Sequence, residues 1–190
     1  MIKTLVVVGS GGHTMEMMKL VGSLSDKYVP RIYVVADTDQ RSVKKVEEFE
    51  LNRTEVCQHA YVRIKRSREV GQSWFTTFFT TLAACFHAIS IIWRHRPKLL
   101  LCNGPGTCIP LCGAVLLLRI MCLTSTKIIY VESICRVQSL SLSGKILYYL
   151  ADHILVQWKE LQQKYPRTQY IGRLTWNMHL ADVLLFFMNM

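Results

Sequence analysis

Leu5-Val6-Val7-Val8 is an unbroken apolar run, mostly β-branched, and it ends abruptly in Gly9-Ser10-Gly11-Gly12-His13. A run this short has no polar face, so it suits a strand covered on both sides, which is the situation of strands in parallel sheets. The pattern recurs along the chain. Arg31 to Ala36 (RIYVVA) stops at Asp37-Thr38-Asp39, Lys98 to Cys102 (KLLLC) stops at Asn103-Gly104-Pro105-Gly106-Thr107, and Lys127 to Glu132 (KIIYVE) runs into Ser133. Ala60 to Lys65 alternates, and short strands fit 153–157 and 168–171. Between the strands, helices fit 14–24, 40–50, 72–95, 108–122, 143–151 and 158–164, the first with Met15, Met18, Val21 and Leu24 along one side. Strand and helix alternate without interruption by a repeat or a long linker. The reading is a single α/β domain with a doubly wound, mostly parallel sheet.

Composition narrows the partners. The chain has 190 residues, 51% apolar, with a net charge of +10, which excludes a disordered or collagenous chain and points to an anionic partner. Seven cysteines without a CxxC pair argue against a disulfide framework or a zinc site and for a reducing compartment. No metal and no cofactor are called for. Met1 to Val8 runs straight into the glycines and reads as a strand rather than a signal peptide. Nucleic acid is a poor fit, because the basic residues border apolar surface and no binding motif accompanies them.

Ser73 to Trp93 has 21 residues and no formal charge, long enough to span a bilayer. It carries Ser or Thr at six positions and fills the slot where the α/β pattern needs a helix, so a buried or membrane-surface helix is the stronger reading. Arg63, Lys65, Arg66 and Arg68 precede it; Arg94, Arg96 and Lys98 follow. Those cations read equally as contacts to anionic lipid, with Arg66, Arg68, Trp74, Phe75, Phe78, Phe79 and Arg94 facing the membrane, or as solvated turn residues.

The first glycine loop is the strongest chemical signal. Glycines permit tight turning and close backbone approach, and the N–H groups of the following helix can take a phosphate or diphosphate. Gly9, Ser10, Gly11, Gly12 and Thr14 are the candidates. This is not the dinucleotide fingerprint, because Thr14 stands where its last glycine belongs, and no Gly-Lys-Ser/Thr triplet follows. His13 could be a general base toward a hydroxyl, or a residue that caps the helix or binds phosphate. Asn103, Gly104, Pro105, Gly106 and Thr107 form a second loop after a strand, and Glu132, Ser133, Asp37 and Asp39 end others. Parallel topology would bring these strand ends to one crevice; each taken singly also reads as a turn residue.

Taken together, VVVGSGGHTMEM, YVVADTD, RSREVGQSW, LLLCNGPGTCIP, YVESICRVQSLSLSGKILYYLADHILVQW, KYP and YIGR closely resemble the membrane-anchoring subunit family of UDP-N-acetylglucosamine transferase, over about residues 3 to 173. The resemblance implies the acceptor-side, Rossmann-like half of a GT-B glycosyltransferase, similar to the N-terminal half of MurG. It implies a role in the second step of dolichol-linked oligosaccharide synthesis at the cytosolic face of the endoplasmic reticulum. A separate cytosolic subunit would hold UDP-GlcNAc, and this chain would bind the dolichol-diphosphate-GlcNAc acceptor. Carried over, Gly9 to Gly12 would meet the acceptor diphosphate and His13 would lie near the GlcNAc 4-hydroxyl. Two departures from the family pattern are read: the first strand begins where the resemblance implies an N-terminal transmembrane helix, so that anchor is expected to be missing, and residues 174–190 diverge from the short family tail. Residues 1–173 are thus expected to form the domain, with 174–190 as a divergent tail weakening or remodelling partner binding. The competing reading is a scaffold without a part in chemistry.

Overall fold

The computed structural model describes residues 1–53, 58–65, 74–104 and 106–174, with 74–82 described as backbone only. The element order is β1 (Thr4–Val8), α1 (Gly12–Gly22), β2 (Arg31–Ala36), α2 (Gln40–Leu51), β3 (His59–Ile64), α3 (Trp74–His95), β4 (Leu99–Asn103), α4 (Cys108–Ile120), β5 (Lys127–Val131), α5 (Leu142–Leu150), β6 (His153–Val156), α6 (Lys159–Lys164) and β7 (Gln169–Tyr170). All seven strands join one sheet in the order β3-β2-β1-β4-β5-β6-β7, and every pairing is parallel.

The apolar runs explain why the sheet is central. Leu5 and Val7 of β1 enter one core with Ile92 of α3 and Val115 of α4, while Val6 and Val8 enter the other with Met17 and Val21 of α1 and Val46 of α2. α1 and α2 therefore pack on one face, and α3, α4, α5 and α6 on the other. Full burial of one such aliphatic side chain contributes about 1.5–3 kcal/mol, so a strand with both faces covered is strongly held. α3 ends at His95, and the backbone of Arg96 then turns left-handed (φ 43) immediately before Pro97.

The buried side of α1 is not the one its Met15, Met18, Val21, Leu24 spacing implies. Met15 does not belong to the buried side of α1: it is 42% exposed, and Met17 is fully buried in its stead. Thr14 is also fully buried, its hydroxyl bonded to the Gly9 carbonyl and to Ser42 Oγ at 2.9 Å. That tie sets the helix's rotation, and the buried stripe runs Thr14, Met17, Met18, Val21. Among the described residues no helix is long and apolar enough to cross a membrane, and the six described cysteines are free.

The strand order reverses between β1 and β4: β2 and β3 extend to one side of β1, and β4 to β7 to the other. The loops after β1 and β4 therefore flank the point where open α/β sheets leave a crevice at their carboxyl edge.

Candidate functional site

The loop after β1 leads into α1 with Gly11 as N-cap, at φ 64, and among the described residues no side chain caps the helix. The first N–H groups of α1 are thus left to an outside acceptor, and the helix dipole favours a negative one. Ser10, Gly11 and Gly12 are exposed, and no atom of the described residues lies within 4 Å of where a Cβ would stand on Gly11 or Gly12. Gly9 is buried, and its carbonyl is held by Thr14 and by Ser42 Oγ at 3.3 Å. Thr14 faces inward, so its hydroxyl does not line the crevice.

α4 also starts without a side-chain cap, at Thr107, whose buried Oγ1 has no hydrogen-bond partner among the described residues. Asn103 is fully buried, Gly104 sits at φ 69 and Gly106 is exposed; Pro105 lies outside the described residues.

His13 bridges the two loops. Its Nδ1 lies 2.9 Å from Asn103 Oδ1 and 3.8 Å from Glu16 Oε2, so Asn103 is the hydrogen-bond partner and Glu16 the ion-pair partner. Gly104 is what lets the ring pack there: a Cβ on Gly104 would stand 2.4 Å from His13 Cε1. The Glu16 carboxylate holds the His13 pKa above its ordinary value, overcoming burial, with help from Asn103 and from the charge of Glu132. His13 Nε2 has no partner among the described residues.

Glu16, which the sequence reading missed, ties three segments together. Its Oε2 accepts from Asn103 Nδ2 at 3.0 Å, and its Oε1 accepts from Ser133 Oγ at 2.9 Å and Ile134 N–H at 3.0 Å. Burial pushes this carboxyl upward, but His13, Asn103, Ile134 and Ser133 outweigh it, and the pKa lies below the ordinary value. The signal was in the sequence: His13 and Glu16 are spaced i, i+3, which places them side by side on a helix.

Other carboxylates at the strand ends serve the scaffold. Glu132 is fully buried; its Oε2 accepts from Ser141 N–H at 2.9 Å and Ser141 Oγ at 3.1 Å, and its Oε1 from Ser133 N–H at 3.2 Å. It holds the N-terminus of α5 rather than presenting oxygens to the crevice. Asp39 caps α2 by accepting from Ser42 N–H at 3.1 Å and Ser42 Oγ at 2.8 Å. Asp37 is exposed at the end of β2, its N–H bonded to the Ile64 carbonyl at 3.0 Å. Ser42 was also missed; it links the Asp39 cap to the glycine loop.

Of the expected membrane-facing residues, Arg66 and Arg68 lie outside the described residues, as do the side chains of Trp74, Phe75, Phe78 and Phe79. Arg94 is exposed in the last turn of α3, beside exposed Trp93, over whose ring the Arg96 guanidinium sits 4.9 Å from the centroid.

A doubly wound parallel sheet with two glycine-rich βα turns at its switch point defines the class as a Rossmann-like α/β fold. The fold matches MurG from Acinetobacter baumannii with a TM-score of 0.64 at 13% identity, covering 90% of this chain and 45% of that one. It matches the S. aureus MnaA–UDP co-structure with a TM-score of 0.63 at 15% identity, covering 92% and 44%. The chain thus spans less than half the length of these proteins. It belongs to the family described as oligosaccharide biosynthesis protein Alg14 like, which it matches over residues 4–174. Its relatives include the UDP-N-acetylglucosamine transferase subunit ALG14 of Homo sapiens, 51% identical over 179 residues, covering 91% of this chain and 83% of that protein. The subunit of the same name from Yarrowia lipolytica is 43% identical, covering 90% and 80%.

Proposed function

We propose that this chain is the acceptor-side subunit of a two-chain, inverting UDP-N-acetylglucosamine transferase. It binds the dolichol-diphosphate-GlcNAc acceptor at the cytosolic face of the endoplasmic reticulum membrane and recruits the cytosolic catalytic subunit there, for the second step of dolichol-linked oligosaccharide synthesis. The observation that carries the reading is an imidazole fixed through Nδ1 between two helix N-termini, with neither an Nε2 partner nor a side-chain helix cap among the described residues. Such N-termini suit a diphosphate, and an imidazole with a free nitrogen suits deprotonation of a hydroxyl.

In the reaction so read, the exposed N–H groups of Ser10 to Gly12 hold the acceptor diphosphate and the Asn103 to Thr107 loop completes the crevice. The acceptor GlcNAc 4-oxygen attacks the anomeric carbon of UDP-GlcNAc, which the partner subunit holds. The new C–O bond forms as the bond to UDP breaks, the hydroxyl proton passes to His13 Nε2, and UDP departs with the bonding pair. Attack opposite the leaving group inverts the anomeric centre. Exposed Phe86, Trp93 and Arg94 on α3 support membrane contact, since apolar surface bordered by cations binds anionic lipid.

The test is co-expression with the catalytic subunit, recovery of both chains from membranes, and turnover of a lipid-diphosphate-GlcNAc acceptor by wild type and His13→Ala. Co-recovery with turnover reduced by 10²-fold or more is expected, the usual scale of general base catalysis. Unchanged turnover would reduce the chain to a scaffold, and failure to co-recover would remove the recruiting role.

A further inference from the structure

The motif that the sequence displays ends at His13, yet the geometry of His13 is decided one helical turn later. A carboxylate only accepts hydrogen bonds. Glu16 Oε2 therefore obliges Asn103 to turn its amide nitrogen toward it, at 3.0 Å. That orientation leaves Asn103 Oδ1 facing His13 Nδ1, at 2.9 Å. An oxygen acceptor at that distance requires Nδ1 to carry the proton, so the lone pair of the neutral ring resides on Nε2. The other carboxylate oxygen is held by Ser133 Oγ and by the Ile134 N–H, so Glu16 cannot turn away without releasing the loop after β5. Glu16 is a half-buried residue with three donors converging on it from two other segments, and none of its contacts is needed to keep α1 helical.

Among the described residues the groups that face His13 come from three elements. Glu16 lies on its own helix, Asn103 and Gly104 come from the end of β4, and the Glu132 charge acts from the end of β5. Glu132 has its own donors in Ser141 and Ser133, so Glu16 is the acceptor left to orient the Asn103 amide.

We propose that Glu16 is a positioning residue for the transfer step: through the Asn103 amide it dictates the tautomer and orientation of His13, making Nε2 the basic nitrogen that faces the acceptor hydroxyl. This rests on His13 being the base, and it adds a residue outside the glycine loops to the working parts of the subunit.

Glu16→Gln tests it in the full chain co-expressed with the catalytic subunit. A glutamine cannot accept at both ends. If its NH2 faces Asn103, the Asn103 amide turns over, His13 Nδ1 becomes an acceptor and the proton moves to Nε2. If its oxygen faces Asn103, its NH2 opposes the Ile134 N–H and the loop is lost. The expected result is a kcat lower by about 10–100-fold, a part of the roughly 10²–10⁴-fold that a general base contributes, because the base is misoriented rather than removed, with the KM for a lipid-diphosphate-GlcNAc acceptor within about twofold of wild type. The acid limb of kcat/KM, which wild type places above the ordinary imidazole value, moves down toward it. Glu16→Asp keeps an acceptor-only group, so its kcat lies above that of Glu16→Gln. Ring-nitrogen NMR of 15N-histidine-labelled complex reads the tautomer directly: Nδ1–H in wild type and in Glu16→Asp, and a shift toward Nε2–H in Glu16→Gln. An Nε2–H tautomer in the wild-type complex overturns the proposal without any variant having to fold. So does a Glu16→Gln enzyme with unchanged kcat and tautomer, or one that loses only KM. If His13→Ala leaves turnover intact, the base reading fails by itself, and the tautomer measurement still decides whether Glu16 orients the ring.

Discussion

Gly104→Ala attacks the site through a single methyl group. The Cβ would stand 2.4 Å from His13 Cε1, 2.7 Å from Nδ1 and 3.1 Å from Nε2. Non-bonded carbons rest near 3.5–4.0 Å, so the ring must retreat by roughly 1.2 Å. A retreat of that size stretches the 2.9 Å contact to Asn103 to about 4 Å, beyond any hydrogen bond. The backbone adds its own cost, since Gly104 sits at φ 69, where an L side chain loses about 1–2 kcal/mol. With about 1 kcal/mol for the lost hydrogen bond, the expected destabilisation is about 2–3 kcal/mol. Displacing a reacting group by about 1 Å costs on the order of 10²-fold in rate. Urea unfolding of the purified complex and steady-state turnover measure the two effects. Gly113→Ala in α4 is the control: no atom of the described residues lies within 4 Å of where its Cβ would stand, so it should stabilise by about 0.5–1 kcal/mol and leave turnover alone. A Gly104→Ala protein with stability within about 0.5 kcal/mol and turnover within twofold of wild type would refute the account of why glycine stands there.

Other consequences follow from the buried polar groups. Arg31 is fully buried, and its Nη1 donates to Glu50 Oε1 at 3.3 Å, with Tyr33 Oη also donating to that carboxylate. Glu50→Ala strands the Arg31 charge and should cost about 3–5 kcal/mol, measured by denaturant unfolding, while Arg31→Met with Glu50→Leu should cost far less. Asp39→Ala removes the α2 cap and frees Ser42, which should cost about 1 kcal/mol in the same assay. The raised His13 pKa makes a signed prediction about pH. The stability it contributes is full below the unfolded value near 6.5 and is lost as pH rises through the folded value. The stability gap between wild type and His13→Ala should therefore be larger at pH 5.5 than at pH 8.5, and equal gaps would contradict the pairing with Glu16.

The sheet was legible because burial on both faces leaves no ambiguity in a short apolar run. Arg31–Ala36 is observed with the bounds its sequence pattern implies, and β4 and β5 differ from theirs by about one residue. The helices were legible as elements but less so in phase. Met15 and Met17 are chemically identical, and a one-residue rotation of α1 exchanges which of them is buried. The rotation is fixed by the Thr14 hydroxyl on Ser42, a contact across 28 positions of sequence that no local periodicity contains.

The same reasoning separates the site residues that could be read from those that could not. Glycine loops are visible because the conformational requirement belongs to the residue itself. A carboxylate is different, because its role depends on which donors the fold brings to it. Glu132 and Asp39 stand at strand ends, where an active-site acid would be sought, and both are taken up by serines that start the next helix. Gly144 shows how tightly Glu132 is held, since a Cβ there would come within 2.2 Å of its Oε2. Glu16 stands inside a helix, where a surface residue would be expected, and its donors lie 87 to 118 positions away. The His13 to Glu16 spacing puts the two on one side of a helix, but only the meeting of β1, β4 and β5 at the sheet edge turns that side toward Asn103 and Ser133. The chemistry of this edge therefore depends on strand order, and the crossover from β3 back to β4 is what brings the orienting amide beside the imidazole.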